Sequence, residues 1–139
     1  MCLSVTQTVP HSKSPFRYKI LHIYKDRGKT KFYSPYRNTQ WTDKKLELPK
    51  DFPAYKPEEM SEVFTHGGGI HVFTTLNKAK HALKQMGHRH GEILCIVKIR
   101  VSGFLGAGYY GWRFSCWAMG WKGEVWRRAR IVKVYENED

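Results

Sequence analysis

The chain of 139 residues is poor in cysteine and has no long apolar run. Its three cysteines, Cys2, Cys95 and Cys116, are widely spaced, which argues against a disulfide framework and a cysteine-based zinc site. No apolar run approaches the roughly 20 residues that a membrane helix needs. The first residues lack the charged and apolar segments of a secretory signal. We therefore expect a cytoplasmic or nuclear protein that is neither secreted nor associated with a membrane.

Acidic residues are also scarce, with 12 Asp and Glu against 24 Lys and Arg, so the formal net charge is +12. Much of the acidic charge falls in residues 46–74, and the cations dominate elsewhere. A strongly basic chain attracts polyanions through steering and counterion release. This balance favours nucleic acid or another phosphate-rich partner, although it would also serve solubility alone.

Several catalytic and ligand-binding motifs are missing. The glycines at positions 103, 106, 108 and 111 form neither a Walker loop nor a Rossmann fingerprint. His66 precedes three glycines, but no Gly-x-Ser-x-Gly elbow accompanies it, which excludes serine hydrolysis of that type. His88 and His90 lie among cations without a helpful Cys or acid, so we predict no metal site. Glu92 and Glu124 are the carboxylates best placed for acid–base chemistry.

The clearest order of elements lies in residues 66–101. Ile70–Phe73 is β-prone, Thr75 is a suitable helix N-cap, and apolar residues then recur at helical spacing over residues 76–86. Gly87 stands where a helix-ending glycine is expected. Residues 92–101 are apolar first and alternating later, which is typical of a central strand that reaches solvent at its far end.

Alternation also predicts a strand over residues 16–25, and a turn at residues 26–29 returns it as a hairpin to residues 30–34. Recurring prolines indicate irregular structure over residues 38–62, pinned by Trp41, Phe52 and Tyr55. We interpret residues 103–111 as a flexible loop, with close approach to a ligand as the alternative. Lys122-Gly123 resembles a hairpin turn, and residues 129–135 are β-prone. Cys95 is expected to be a small buried hydrophobe.

These patterns predict one α+β domain over residues 16–136. It follows a flexible or draped tail, residues 1–15, and ends in an acidic tail, residues 137–139. The sheet should be mostly antiparallel, with five to seven strands, and either curved or a partly open barrel. One main helix, residues 76–86, should pack against it.

The strand, helix and second strand of residues 66–103 resemble the middle of ADP-ribosyltransferase catalytic domains. Gly69-Ile70-His71-Val72-Phe73 is similar to their "G-I-Y-F" strand, with His71 where those enzymes commonly have a tyrosine. The resemblance implies NAD as a cofactor and a small transferase or hydrolase. In that case His71 would line the nicotinamide pocket and Glu124 would be the catalytic carboxylate to test.

The residues themselves favour a different function, a non-enzymatic module without a cofactor that binds nucleic acid or another polyanion. Its surface would combine the tip of the first hairpin, the lysine face of the helix and the Trp- and Arg-rich C-terminal strands. The predicted contact residues are Lys25, Arg27, Lys29, Lys31, Lys78, Lys80, Lys84, Arg113, Trp126, Arg127, Arg128 and Arg130. A third hypothesis is a protein–protein adaptor of a phage or defence system.

Overall fold

The computed structural model describes residues 3–34, 39–48, 69–86, 93–110 and 122–135. These residues form eight strands and one helix, and no helix among them is long and apolar enough to cross a membrane. In chain order the elements are β1 (Leu3–Gln7), β2 (Phe16–Asp26), β3 (Lys29–Tyr33), β4 (Gln40–Trp41), β5 (Lys45–Glu47), β6 (Ile70–Phe73), α1 (Leu76–Met86), β7 (Leu94–Tyr110) and β8 (Lys122–Tyr135).

All the strands belong to one sheet, and their pairings are antiparallel. The order is β1-β7-β8-β6-β2-β3-β4, with β5 added to β8 and a further pairing between β2 and β7. The pairings β2–β7, β7–β8, β8–β6 and β6–β2 close on themselves, so this part of the sheet is ring-like. A mostly antiparallel sheet with one helix confirms the predicted α+β class, although the described residues form eight strands where five to seven were expected.

The shortest strand pairing in the ring, which we call the joint, is between β2 and β6, where Tyr18 and Phe73 form the register pair. The ammonium group of Lys19 donates a hydrogen bond of 2.7 Å to the carbonyl oxygen of His71 across this joint. Burial lowers the pKa of Lys19 to about 8, because a charged ammonium is poorly solvated there. A side chain on β2 therefore supplements the short backbone ladder between these two strands.

The longest pairing joins β7 to β8, from Ile96 opposite Tyr135 to Tyr109 opposite Lys122. Its register shifts between Lys98 and Ile99 and again between Phe104 and Gly106, as β-bulges do. The prediction of a flexible loop at residues 103–111 is wrong for residues 103–110, which lie in β7; this part of β7 pairs with β8 as far as Tyr109 and with β1 from Ala107 to Tyr110. Lys122 and Gly123 are likewise not a turn, since they begin β8.

Helix α1 begins and packs as its sequence predicts. The backbone N–H of Lys78 donates to the Thr75 hydroxyl at 3.3 Å, as expected of an N-cap. Ala79 and Ala82 are buried against the sheet, with Leu76 and Leu83 partly buried beside them. Small residues at the centre of this contact let the helix backbone approach the strands closely.

The apolar core has two parts, one on each face of the sheet. The helix-side cluster contains Ile20, Phe73, Ala79, Ala82, Leu94, Ile96, Leu105 and Val125. The cluster on the opposite face contains Leu21, Phe32, Trp41, Ile70, Val72, Cys95, Val97, Ile99, Val101, Trp126, Ala129 and Ile131. Fully burying one Val, Leu or Ile side chain stabilises a fold by roughly 1.5–3 kcal/mol.

The structure confirms the predicted burial of Cys95 and Trp41 and corrects the predicted N-terminal tail. Cys95 is buried, as expected, and burial raises the pKa of its thiol to about 12. Trp41 is buried and its indole donates to the Ser34 hydroxyl at 2.9 Å, so it pins the segment after β3 as predicted. The prediction that this segment is irregular is wrong at β4 and β5. The first residues, expected as a tail, include strand β1. Phe52, Tyr55 and Gly87 lie outside the described residues.

Candidate nucleic-acid interface

The helix-side face of β7 and β8 carries cations that lie opposite one another on neighbouring strands. Arg100 lies opposite Arg130, which in turn lies opposite Lys45 of β5. Two residues before Arg100 on β7, Lys98 lies opposite Lys133 of β8. The strand period of two places Lys98 with Arg100, and Arg128 with Arg130, on one face, because Ile99 and Ala129 between them are buried. Lys133 is three residues past Arg130 and returns to this face through the register shift between Lys98 and Ile99. We call this surface the basic face: Lys45, Lys98, Arg100, Arg128, Arg130 and Lys133.

A groove of about 280 Å³ lies within the basic face, between β5, β7 and β8. Lys45, Arg100, Arg128 and Arg130 line it, together with Ser102 and one acid, Glu47. Four cations therefore converge on a concave surface whose formal charge is positive. Cations gathered in a concavity focus their field, which favours an anionic ligand there.

Arg128 lies between two cross-strand partners, Ser102 on β7 and Glu47 on β5, and the contact with Ser102 positions it. The Arg128 Nε donates a hydrogen bond of 3.0 Å to the Ser102 hydroxyl oxygen. This contact fixes the guanidinium plane and leaves the terminal amino groups of Arg128 for other acceptors. The Ser102 hydroxyl keeps its own proton to donate.

Gly103 makes room for this arrangement. Its φ of +71° is left-handed, and a Cβ there would lie 2.7 Å from the Arg127 Cβ and 3.1 Å from a terminal nitrogen of Arg128. Both the backbone conformation and the nearby Arg127 Cβ therefore require glycine. The glycine-rich segment thus helps to build the groove, although it is a strand and not a loop.

We expect Gly103→Ala to lower the free energy of unfolding by about 1–3 kcal/mol, because alanine would be strained at this φ and its Cβ would collide with the Arg127 Cβ. Urea denaturation measures this change. Gly28 is the matched control, since its φ is +78° but no atom lies within 4 Å of the position of an added Cβ. Gly28→Ala should carry the backbone strain alone and cost less; an equal or larger cost would contradict the role of Gly103.

Aromatic rings border the basic face, two on β2 and one at the end of β8. Phe16 lies opposite Arg100, and the Lys98 ammonium lies 4.5 Å from the centre of its ring. The Lys133 ammonium lies 4.8 Å from the Tyr135 ring, whose centre is 6.3 Å from that of Tyr18. Burial, with Tyr18 as a neighbour and hydrogen-bond partner, raises the pKa of Tyr135. Cations beside aromatic rings are what a stacking surface for nucleic acid contains.

The central row of the basic face has no acidic partner among the residues that the structure describes. The ion pairs given by those residues are Arg17 with Glu124 and Lys31 with Asp26. Arg100 and Arg130 therefore face each other directly as like charges, a placement that destabilises a sheet. An anion bound between them would relieve this repulsion.

The structure distributes the predicted contact residues over several places. Arg128 and Arg130 are in the basic face, whereas Lys45, Lys98, Arg100 and Lys133 join them without having been predicted. The alternation of Lys98 and Arg100 with apolar residues was a usable signal. Lys45 gave none, because it falls in a segment predicted to be irregular.

The predicted hairpin cations lie elsewhere. Lys25, Arg27 and Lys29 are exposed at the β2–β3 turn, and Lys31 approaches Asp26 at 3.5 Å. This turn is about ten residues along β2 from Phe16, or roughly 30 Å at strand spacing. The hairpin tip and the basic face are therefore separate cationic regions.

The helix cations form a third group. Lys80 and Lys84 are exposed on α1, and burial together with the charge of nearby Lys122 lowers the pKa of Lys78. Arg127 is half-buried, and Arg113 lies outside the described residues. Trp126 is 8% exposed and bonded to Glu124, so its ring is part of the interior instead of the surface.

Glu124 lies at the centre of a buried polar network. Its carboxylate pairs with the Arg17 guanidinium, and both side chains are 0% exposed. It also accepts hydrogen bonds from the Trp126 indole at 3.0 Å and from the His11 backbone N–H at 2.6 Å. Arg17 donates its remaining protons to the carbonyl oxygens of Ser12, Ser14 and Phe16. The network thus holds residues 11–14 against β2 and β8.

The alternative catalytic pair does not share a pocket. Val72 lies opposite Glu124, and His71 lies opposite Val125, so the side chains of His71 and Glu124 point to opposite faces of the sheet. The oxygens of Glu124 are occupied by donors from the protein. Within the described ranges, no three His, Cys, Asp or Glu side chains are grouped to hold a metal ion.

The described residues thus define a small α+β domain with a cationic strand face. Neither a family model, nor a curated protein, nor a solved structure matches this chain.

Proposed function

We propose that the protein is a binding module for nucleic acid, without catalytic activity of its own, and that the basic face contacts the phosphates. The observation that carries the proposal is the row Lys45–Arg130–Arg100, three cations in register with no acidic partner among the described residues. Such a row is unfavourable in the free protein and favourable once phosphates lie along it.

The aromatic border supports a single strand as the ligand. Phe16, Tyr18 and Tyr135 are half-buried beside the cations, so each ring has an edge or face near solvent. Base–aromatic stacking is worth about 1–3 kcal/mol per base and needs unpaired bases. The cations of the hairpin tip and of α1 would add long-range attraction, as the net charge of +12 does, without direct contact.

Binding should depend steeply on salt. If four to six cations neutralise phosphates, log K for a single strand should fall with log salt at a slope of about −3 to −4. Affinity would then drop about 100-fold between 50 and 200 mM salt. Fluorescence anisotropy with labelled 12-nucleotide DNA and RNA strands measures this. Polyglutamate is the control polyanion, and tighter binding of polyglutamate than of either strand, or a slope near zero, would contradict the proposal.

A further inference from the structure

The groove within the basic face differs from the rest of that face in its concentration of charge. Lys45, Arg100, Arg128 and Arg130 line it against Glu47 alone, so four positive groups meet one negative group within about 280 Å³. Arg100 pairs with Arg130, and two residues along, on the same face, Ser102 pairs with Arg128. Arg128 thus adds a fourth cation beside the row Lys45–Arg130–Arg100, and all four border one groove.

The groove also offers more donors than a single charged oxygen can use. The Ser102 hydroxyl accepts from the Arg128 Nε, which orients both groups, and no other described residue bonds the hydroxyl proton or the Arg128 amino groups. Arg100 and Arg130 add two planar guanidinium forks, which suit the paired oxygens of a phosphate. Gly103 lets the Arg128 guanidinium lie close to the β7 backbone.

From this arrangement we infer that the groove receives a terminal phosphate monoester of a nucleic-acid strand, an inference that rests on the proposed function and assigns its ligand more closely. A phosphate monoester carries about −1.5 to −2 charges near pH 7 and has three acceptor oxygens. A phosphodiester within a strand carries a single charge and two free oxygens. With four cations and Glu47 the groove has a formal charge of +3, so a monoester leaves about one positive charge uncompensated, whereas a diester leaves about two.

The neighbouring surface gives the bound strand a direction. On the β2 side of the groove, Phe16 lies next to Arg100 in the same row, and Tyr18 lies opposite Lys98 in the adjoining row. The opposite side is bounded by β5, which supplies Lys45 and Glu47. The strand therefore leaves the groove over β7 toward the aromatic border, where its first bases can stack, and away from the carboxylate of Glu47.

The test compares three strands of identical sequence, bearing a 5′-phosphate, a 3′-phosphate or only hydroxyl groups, in fluorescence anisotropy with the full chain at 100 mM salt. We expect one phosphorylated strand to bind at least about 10-fold more tightly than the hydroxyl strand. Arg128→Lys keeps the charge but removes the guanidinium fork, so it should erase most of this preference. Lys80→Gln/Lys84→Gln, which removes two cations from α1, should retain it.

Two results would overturn the assignment. If all three strands bind equally and the binding is salt-sensitive, the groove does not recognise a terminal phosphate, and the proposed function still holds. A preference that persists in Arg128→Lys and in Arg100→Gln/Arg130→Gln would place the terminal phosphate elsewhere on the protein. Failure of every strand to bind at low salt would instead contradict the proposed function itself.

Discussion

Replacing Glu124 with methionine should lower the free energy of unfolding by about 3–5 kcal/mol, the typical effect of removing one partner of a buried ion pair. The substitution leaves the Arg17 guanidinium buried without its anion, because both side chains are fully enclosed. It also removes the acceptor for the Trp126 indole and for the His11 backbone N–H. Urea denaturation followed by tryptophan fluorescence measures the change.

The double variant Arg17→Met/Glu124→Met is the control for this prediction. It replaces both charges with apolar side chains of similar length, and buried ion pairs replaced in this way often lose little stability. We therefore expect the double variant to be more stable than Glu124→Met alone. A single substitution that costs less than about 1 kcal/mol would show that the pair is not the anchor that its burial indicates.

The same substitution should loosen the segment before β2. The carbonyl oxygens of Ser12 and Ser14 accept from Arg17, and the His11 ring lies 2.9 Å from the carbonyl oxygen of Gly108. Without Glu124, Arg17 has no fixed orientation from which to hold these residues. Faster hydrogen exchange of the amides of residues 11–14 in Glu124→Met would link the buried pair to the order of the N-terminal segment.

Removing two cations from the basic face should weaken nucleic-acid binding far more than removing two from the helix. We expect Arg100→Gln/Arg130→Gln to reduce affinity for a single strand about 10- to 100-fold at 50 mM salt and to flatten the salt slope by about 1.4. Stability should stay the same or rise by a few tenths of a kcal/mol, because like charges no longer face each other across β7 and β8. Anisotropy and urea denaturation give the two readouts.

Lys80→Gln/Lys84→Gln is the matched control, since it changes the net charge equally and both residues are exposed on α1. We expect its affinity to fall less than about 3-fold, through weaker long-range attraction alone. Equal losses in the two double variants would mean that binding responds to the overall charge and that no particular surface is used.

The sequence predicted the elements whose signals are local. Alternation identified β2, a capping threonine and helical spacing identified α1, and the turn at residues 26–29 identified the first hairpin. It failed at residues 103–110 because glycines favour loops unless neighbouring strands cover them, and β1 and β8 do so here. That cover depends on residues far away in the sequence, so the local composition carried no sign of it.

The site was predictable only in part, for a related reason. Arg128 and Arg130 were predicted because the C-terminal segment is rich in arginine. The residues that complete the groove around them come from β5 and β7. The register of three strands decides that Lys45 and Arg100 flank Arg130. Trp126 was predicted to contact nucleic acid because it lies among arginines; the packing partners that enclose it could not be read from the chain.

The central claim is that nucleic acid lies on the basic face, and an NMR titration tests it most directly. Amide resonances of the isotope-labelled protein should shift with added single strand at residues 98–102, 128–133 and 45, in the strands that carry the basic face. Shifts concentrated instead at the β2–β3 turn, residues 25–31, or along α1, residues 76–86, with β7 and β8 unchanged, would contradict the account.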